Sequence, residues 1–136
     1  MYSTVIEPRV SETDGVGHIN NTVLPVWFEA GRHDIFKLFN PDNSFENWRM
    51  VIINTNIHYK QQIFFGEDVM VKVWVKRIGN SSLELYEEIW QNDHCCATSN
   101  TVYVNFDKDS ETTERIPEDV RAELMKHLYK GEETFE

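Results

Sequence analysis

Valine occupies every second position from Val69 to Val75, and this alternation restricts what the chain can fold into. Successive side chains of an extended strand point to opposite faces, so the segment predicts a strand with one apolar face. The other face would carry Met70, Lys72 and Trp74. Such a strand is stable only beside neighbouring strands and under a layer that covers its valine face, so the rest of the chain must supply both.

The same twofold period recurs on both sides of this segment. Turn signals separate the repeats at "FGED", "IGNSS" and "QND", which is the punctuation expected between antiparallel strands. We therefore expect one strand near the N-terminus and four more in succession: Tyr2 to Val10, then Arg49 to Gln61, Asp68 to Arg77, Ser82 to Trp90 and His94 to Phe106.

Between the first two of these strands the spacing becomes helical. The pattern predicts a mostly buried helix from Asn21 to Phe39, with Asn20 or Asn21 as its N-cap and Pro25 in an early turn. "NPDNS" then provides the turn that follows. The apolar stripe consists of Val23, Trp27, Ala30 and Leu38, with Val26 and Ile35 beside it.

A short second helix is expected near the C-terminus, beginning at Pro117. Glu118 and Asp119 fall in its first turn, the basic residues of 126–130 in its last, and Gly131 just beyond. Its apolar stripe would be Val120, Leu124 and Leu128.

A strand, a long helix and four antiparallel strands predict an α+β fold in which one sheet of about five strands wraps around a central helix. The order does not fit alternating βαβ units. At 136 residues the chain is expected to form a single domain spanning 1–136, with solvated, mobile acidic segments at 107–114 and 132–136. Cys95 and Cys96 are adjacent on a strand and point to opposite faces, which disfavours a disulfide between them.

Composition excludes several classes of protein. Thirteen Lys and Arg against 23 Asp and Glu give a formal charge of -10, which repels a nucleic-acid backbone. No window has the roughly 18 uninterrupted apolar residues of a membrane span, and "MYSTVIEPRV" lacks the features of a leader. We expect a soluble cytoplasmic protein.

The stretch "SETDGVGHINN", residues 11–21, contains the groups best suited to take part in a reaction. Two glycines would let the backbone approach a ligand closely, and the helix start at Asn21 and Thr22 would present unpaired amides to an oxyanion. Asp14 could activate water or attack directly, and His18 could support the loop or hold a carbonyl oxygen. Turn and cap residues of a purely structural loop would be of the same types, so spacing alone leaves both readings open.

The segment "DGVGHINNTVLPVWFEAGR" resembles the Asp-x-x-Gly-His-x-Asn-Asn, Trp-x-Glu-x-x-Arg signature of hotdog-fold acyl-CoA thioesterases of the 4-hydroxybenzoyl-CoA thioesterase family. "YKQQIFFGEDV", "GNSSLEL" and "RIPEDVRAEL" are similar to later segments of that family, so the resemblance spans roughly residues 3–124. It implies Asp14 as the catalytic aspartate, Gly17 and His18 as the Gly-His pair, and the Asn21 backbone amide as the group that polarises the thioester carbonyl. Leu24, Pro25 and Gln62 depart from the family pattern.

The resemblance implies hydrolysis of an acyl-CoA thioester to free acid and CoA, without cofactor or metal. The acyl group would contact Thr22, Val23 and Trp27 and lie between the subunits of a homodimer or homotetramer. That assembly would form through the strand after the helix, so the neighbour's Asn56 or His58 would complete each binding site. Glu29 lies too far along the helix to share the carbonyl with Asn21, and a pair with Arg32 or Arg49 is expected instead.

Three alternatives remain open at this point. The thioester could be carried by acyl carrier protein instead of CoA, the enzyme could be a hotdog dehydratase or hydratase, or the domain could bind acyl groups without turning them over. The histidines and cysteines lack tetrahedral ligand spacing, so no metal site is expected. Lys60, Lys72, Lys76 and Arg77 are the only local basic cluster, and an ordinary solvated strand face explains it better than contact with CoA phosphates.

Overall fold

The computed structural model describes residues 1–131 of the chain. Six strands and three helices follow one another in the order expected for an antiparallel sheet and one main helical segment. The strands are β1 (Tyr2–Ile6), β2 (Met50–Tyr59), β3 (Val69–Ile78), β4 (Ser82–Gln91), β5 (His94–Asp107) and β6 (Thr112–Thr113); the helices are α1 (Leu24–Ala30), α2 (His33–Phe39) and α3 (Glu118–Met125).

The five long strands form one antiparallel sheet in the order β1-β3-β4-β5-β2, and the short β6 pairs with the end of β5. The alternation that begins at Val69 is the reason for this architecture. Val69, Val71, Val73 and Val75 are all buried on the face that meets α1 and α2. The α+β prediction, with a sheet curled around a central helical segment, is therefore confirmed, as are the four strands after the helix to within two residues at each end.

Each long strand contributes alternate residues to the concave face of the sheet. On β4 these are Leu83, Leu85, Glu87 and Ile89, and all four are at most 1% exposed. Phe28 and Ile35, from α1 and α2, are fully buried against them. Cys96 is also buried while Cys95 is half-buried, and both are free thiols, as their adjacent strand positions predicted.

The helical segment is divided in two, which corrects the single helix expected from Asn21 to Phe39. A 3-10 turn covers Asn21–Val23, α1 ends at Ala30, and α2 begins at His33. At the break, Arg32 has φ -101° and ψ 2° and turns its side chain into the core, where it binds Glu87. Gly31 makes this possible because its lack of a side chain lets the backbone lie against the valines of β3.

The first strand is shorter than expected. It ends at Ile6, opposite Val69, where β3 itself begins, so residues 7–10 have no β3 partner left. The buried Pro8 also lacks the amide hydrogen that strand pairing requires. A 3-10 turn at Val10–Glu12 follows and leads into the loop that contains Asp14.

The last helix also ends earlier than expected, at Met125, so residues 126–130 do not form its final turn. Instead the backbone of His127 and Tyr129 hydrogen-bonds to Val75 of β3, at 2.8 Å in each case. An extended segment can make these sheet contacts and a helical one cannot. Val120 and Leu124 are buried as predicted, whereas Leu128 is 38% exposed, and the acidic segment 132–136 lies outside the described residues.

Gly31 gives a test of the close contact between helix and sheet. A Cβ added there would lie 2.6 Å from Cγ1 of Val71 and 3.1 Å from Cγ2 of Val73. Alanine gains at most about 1 kcal/mol in helix propensity, whereas overpacking costs about 1 to 3 kcal/mol. We expect Gly31→Ala to lower the free energy of unfolding, measured by urea denaturation.

The matched variant is Gly31→Ala combined with Val71→Ala, which removes the nearest obstructing methyl group. If the steric explanation holds, the double variant loses less stability than the sum of the two single changes. Strict additivity, or a Gly31→Ala protein as stable as the unaltered one, would contradict it.

Candidate functional site

The loop from Asp14 to His18 holds its carboxylate in solvent. Gly15 and Gly17 have φ angles of +95° and +88°, a region that residues with a side chain rarely adopt. Within the turn the Val16 amide donates to Oδ1 of Asp14 at 3.2 Å. Asp14 itself is exposed, so its carboxylate remains accessible to water and to a ligand.

Backbone hydrogen bonds fix this loop on two sides. The Asp14 amide donates to the His18 carbonyl at 2.9 Å and closes the turn. Ile19 donates to Ile63 at 2.8 Å, and Phe65 donates to Gly17 at 2.9 Å, so the loop also pairs with the segment that precedes β3. The His18 ring packs edge-on against Phe64, with 5.0 Å between ring centroids. Asp14 and His18 are therefore held in one small, ordered turn.

The start of the helical segment lies directly after this loop. Asn20 is the N-cap: its side chain accepts from the amide and the hydroxyl of Thr22, at 2.9 and 2.8 Å. This settles the choice between Asn20 and Asn21. Asn21 is the first residue of the turn, a position whose backbone amide has no intrahelical acceptor. The Tyr59 hydroxyl, from the end of β2, donates to the Asn21 carbonyl at 3.4 Å.

A cavity of about 450 Å³ opens beside Asn21. Its apolar wall includes Ile19 and Leu24, and the end of β2 with the residues after it supplies Tyr59 and Lys60. This is the size range of cavities that bind small organic ligands. The helix start at Asn21 thus borders open space rather than packed core, while Asp14 and His18 are not among the residues that line the cavity.

Glu12 is a buried acidic residue that the sequence analysis did not single out. It is 6% exposed, and its carboxylate accepts from the Arg9 backbone amide at 2.7 Å and from the Trp27 indole at 2.9 Å. Its backbone carbonyl accepts from the Asn20 amide at 2.8 Å. Burial alone would raise the pKa of Glu12, but the hydrogen bonds from Arg9 and Trp27 outweigh it and lower the pKa below its ordinary value. Glu12 therefore ties the loop to both the cap and the interior of α1.

The predicted substrate contacts divide into accessible and inaccessible positions. Thr22 is exposed and Val23 is half-buried at the helix start, next to Asn21. Trp27, in contrast, is 2% exposed and donates to Glu12. In this chain Trp27 is a core residue beneath the loop, not part of an open ligand surface.

Within one chain Asn56 and His58 do not reach the loop, and the expectation that a neighbour's Asn56 or His58 completes the site stays a prediction. Thr55 contacts Thr101 on the concave side of the sheet, and Ile57 packs against the core. Because side chains alternate along a strand, Asn56 and His58 point to the opposite, convex face. The structure thus brings together Asp14, Gly17, His18, Asn21, Thr22 and Val23, but leaves Asn56 and His58 on the other side of the sheet.

The expected pairing of Glu29 with Arg32 or Arg49 is wrong. Arg32 is bound to Glu87 at 2.5 Å, and Arg49 is bound to Glu114, so both guanidinium groups are engaged elsewhere. Glu29 is exposed and lines a second cavity at the far end of the helical segment. Helical spacing suggested local partners, but the break between α1 and α2 at Arg32 turns that side chain away from Glu29.

The basic cluster of β3 does not extend to the cavity beside Asn21. Lys72 lies over the Trp90 ring at 4.5 Å, and Lys76 contacts Asn100 at 3.1 Å, both on the convex face. Of the four basic residues of the predicted cluster, Lys60, Lys72, Lys76 and Arg77, only Lys60 lines that cavity.

A curled antiparallel sheet around a central helix, with a carboxylate loop at the helix start and a cavity beside it, defines a hotdog-fold protein of the thioesterase type. The family model of the Thioesterase-like superfamily matches residues 8–124, and the chain belongs to that superfamily. Thioester hydrolysis is the activity that this membership supports. No helix within residues 1–131 is long and apolar enough to cross a membrane.

Solved structures agree with the assignment. The chain is 58% identical to a protein described as a predicted thioesterase from Bacillus stearothermophilus, with a TM-score of 0.91 over 94% of this chain and 96% of that one. A thioesterase from Thermus thermophilus, crystallised with coenzyme A and Zn, is 25% identical with a TM-score of 0.80 over 90% and 96%. The Bacillus subtilis protein YsmA, whose function is uncharacterised, is 30% identical over 77% of this chain and 72% of its own length.

The role of Glu12 can be tested through the pH dependence of stability. Glu12→Gln keeps the size of the side chain but removes the charge that accepts from Arg9 and Trp27, so it should lower the free energy of unfolding at neutral pH by about 1 to 3 kcal/mol. A carboxylate whose pKa is lowered in the folded state stabilises the protein fully when the pH is above the ordinary pKa of the group, 4.5. That stabilisation disappears as the pH falls through the lowered pKa, so the difference between the two proteins should shrink in acid.

The measurement is a series of urea denaturations between neutral and acidic pH. Glu7→Gln is the control, because Glu7 is an exposed acidic residue near the same loop. A Glu12→Gln deficit that stays constant as the pH falls would rule out the carboxylate as its source.

Proposed function

We propose that the protein hydrolyses an acyl-CoA thioester to free acid and CoA, using the loop of Asp14 and the helix start at Asn21. The observation that carries the proposal is the ordered turn that keeps Asp14 exposed while joining it, within a few residues, to a helix start beside a cavity. Membership of the Thioesterase-like superfamily supports the reaction type.

In this proposal the thioester carbonyl oxygen accepts from the backbone amide of Asn21. As water attacks, charge develops on that oxygen and the amide stabilises it. Asp14 takes the proton of the attacking water, and the tetrahedral intermediate then expels the CoA thiolate, which is protonated on release. Alternatively the Asp14 carboxylate attacks first, forms a mixed anhydride and is released by water. His18 supports the turn in either route.

Coenzyme A is the proposed carrier of the acyl group. The Thermus thermophilus relative was crystallised with coenzyme A, which favours CoA over acyl carrier protein. Lys60, which lines the cavity beside Asn21, would supply a cation for an anionic carrier on an otherwise acidic chain. A cytoplasmic location, expected from the sequence, belongs to the same proposal.

We further propose that the working unit is at least a homodimer formed through β2. This strand is ten residues long and lies at one edge of the sheet, and Val51, Ile52 and Ile53 are 41%, 47% and 60% exposed. A long apolar edge with unpaired backbone groups is a template for pairing with another strand. Pairing with a second copy about a twofold axis satisfies these backbone groups and closes the assembly, so that no open filament forms.

Replacing Asp14 distinguishes the hypothesis of an enzyme from that of an acyl-binding module without turnover. Asp14→Asn retains the size and the turn-forming tendency of the side chain but removes the charge needed by a base or a nucleophile. We expect turnover to fall by about a hundredfold or more with little change in folding or substrate affinity, measured as steady-state hydrolysis of a panel of acyl-CoAs. His18→Ala should cost less, because the helix-start amides remain.

Asp107→Asn is the matched control, because Asp107 also accepts from a backbone amide two residues later, that of Asp109 at 3.3 Å. It should retain full activity. Asp14→Asn protein that hydrolyses acyl-CoA within a few-fold of the unaltered protein would overturn the catalytic assignment and favour the acyl-binding module.

The dimer is tested by placing a charge on each of the two sheet edges. Ile53 on β2 and Val5 on β1 are both 60% exposed. Ile53→Lys should shift the sedimentation coefficient from dimer towards monomer at micromolar concentration, because a lysine on an edge disfavours strand pairing. Val5→Lys should leave the assembly intact, and an unaltered protein that sediments as a monomer would refute this proposal.

A further inference from the structure

A third cavity, of about 510 Å³, lies where the end of α2, the start of β2, the end of β5 and the start of α3 meet. Asn105 of β5 is one of the residues that line it, and we call it the Asn105 cavity. Its volume falls in the range of about 300 to 1,000 Å³ that is usual for small-molecule sites. None of its lining residues belongs to the Asp14 loop or to the two cavities described above.

An unpaired acceptor distinguishes this cavity from the other two. Asn105 is 5% exposed, and its Oδ1 is the one buried side-chain nitrogen or oxygen within residues 1–131 that has no hydrogen-bond partner. Native proteins rarely bury an acceptor in this way unless a ligand, an ion or a water molecule pairs with it. A group that enters the Asn105 cavity can supply the missing donor.

The Asn105 amide cannot turn over to relieve its oxygen. Its Nδ2 donates to the backbone carbonyls of Glu114 and Arg115, at 3.2 and 3.3 Å. A reversed amide would place Oδ1 against these two carbonyl oxygens, with no donor between them. The backbone is fixed as well, because the Asn105 amide donates to the Ser81 carbonyl and the Glu114 amide donates to the Asn105 carbonyl, each at 2.8 Å. The unpaired acceptor is therefore built into the fold.

A guanidinium group and a carboxylate line the same cavity. Arg49, just before β2, forms an ion pair with Glu114, and the two side chains are 33% and 46% exposed. An ion pair with this much exposure contributes little to stability, so it opens at small cost. A ligand that carries both signs of charge can insert between the partners, with its anionic group on Arg49 and its cationic group on Glu114.

Apolar side chains form much of the remaining lining. Leu38 and Phe39, the last two residues of α2, are half-buried there. Val120 is buried in the first turn of α3, and the exposed Pro117 precedes it. An apolar group that packs against these residues removes them further from water, which favours binding.

We propose that the Asn105 cavity binds a free α-amino acid with an apolar side chain. The ammonium group donates to Oδ1 of Asn105 and to the Glu114 carboxylate, the ligand carboxylate accepts from Arg49, and the side chain packs against Leu38 and Val120. A formal charge of -10 repels a simple anion but not a zwitterion whose net charge is zero. This site is separate from the Asp14 loop and does not depend on the proposed hydrolase function.

Isothermal titration calorimetry of the whole chain at neutral pH tests the ligand class. L-Leucine is compared with 4-methylpentanoate, which lacks the ammonium group, and with 3-methylbutylamine, which lacks the carboxylate. Leucine should bind at one site per chain, and each analogue should bind at least about tenfold more weakly, because one charged partner in the cavity is left without its ligand group. Glycine should also bind more weakly, because it buries no apolar side chain.

Two variants test whether the binding takes place in this cavity. Glu114→Gln removes the partner of the ammonium group, so it should lower the affinity for leucine relative to 4-methylpentanoate by at least about tenfold. Arg49→Gln removes the partner of the carboxylate, so it should lower the affinity for leucine relative to 3-methylbutylamine by a similar factor. A general loss of structure would not produce these opposite preferences. Both side chains are partly exposed, so neither variant requires a change in the core.

Glu123→Gln is the matched control. Glu123 also belongs to an exposed ion pair, with Lys126 at 2.8 Å, but it does not line the Asn105 cavity. This variant should bind leucine as tightly as the unaltered protein does.

Several results would overturn the inference. One is the absence of leucine binding at a ligand concentration of about 10 mM, and another is equal affinity for leucine and 4-methylpentanoate. Unchanged charge preferences in Glu114→Gln and Arg49→Gln would place the leucine site elsewhere, and an equal loss in Glu123→Gln would remove the cavity as the cause. Because calorimetry needs no turnover, a failure here leaves the hydrolase proposal untouched, and an inactive Asp14→Asn protein should still bind leucine.

Discussion

The buried ion pair between Arg32 and Glu87 is the interaction that organises this fold. Arg32 donates to both carboxylate oxygens of Glu87, at 2.5 and 2.9 Å, and also to the Tyr103 hydroxyl and the Thr101 hydroxyl. Burial disfavours the charged guanidinium, but the partnership with Glu87 outweighs it and raises the Arg32 pKa. Replacing such a pair by apolar side chains can be neutral, yet removing one partner leaves a buried charge at a cost of about 3 to 5 kcal/mol. The pair therefore fixes where the helical segment crosses the sheet.

The candidate site and the second cavity both take their positions from that crossing point. Arg32 lies at the break between α1 and α2, so α1 extends from it towards the Asp14 loop and α2 extends from it towards the second cavity. Gly31 brings the backbone against Val71 at this place, which leaves little freedom for sliding. A shift of either helix along the sheet would separate Arg32 from Glu87. The two ends of the helical segment are thus held by a constraint near its middle.

Local pattern explains why most of the fold was predictable from the sequence. The strands follow from a twofold period, and the break at Arg32 does not, because its cause is Glu87, 55 residues away in the chain. Glu12 carried no such signal, since only half of a capping box is present: the Arg9 backbone amide donates to the Glu12 carboxylate, but the Arg9 side chain has no acceptor with which to cap the turn in return. The face of the sheet on which Asn56 and His58 lie, in contrast, could be predicted. Side chains alternate along a strand, so a core-facing Ile57 places these two neighbours on the convex face, away from the candidate site of the same chain.

What no single sequence provides is the partner of a sheet edge. "MVIINTNIHY", the sequence of β2, contains no Lys, Glu or Pro, the residues with which proteins usually block edge pairing, so its composition favours pairing without giving the register. The polar network of the core reaches this edge, because the hydrogen bonds continue from Arg32 through Thr101 to the Thr55 hydroxyl, at 3.1 and 2.9 Å. An edge strand tied to a buried ion pair is hard to displace without exposing that pair, so β2 offers a rigid template. Assembly and the placement of the Asp14 loop would then share one structural origin.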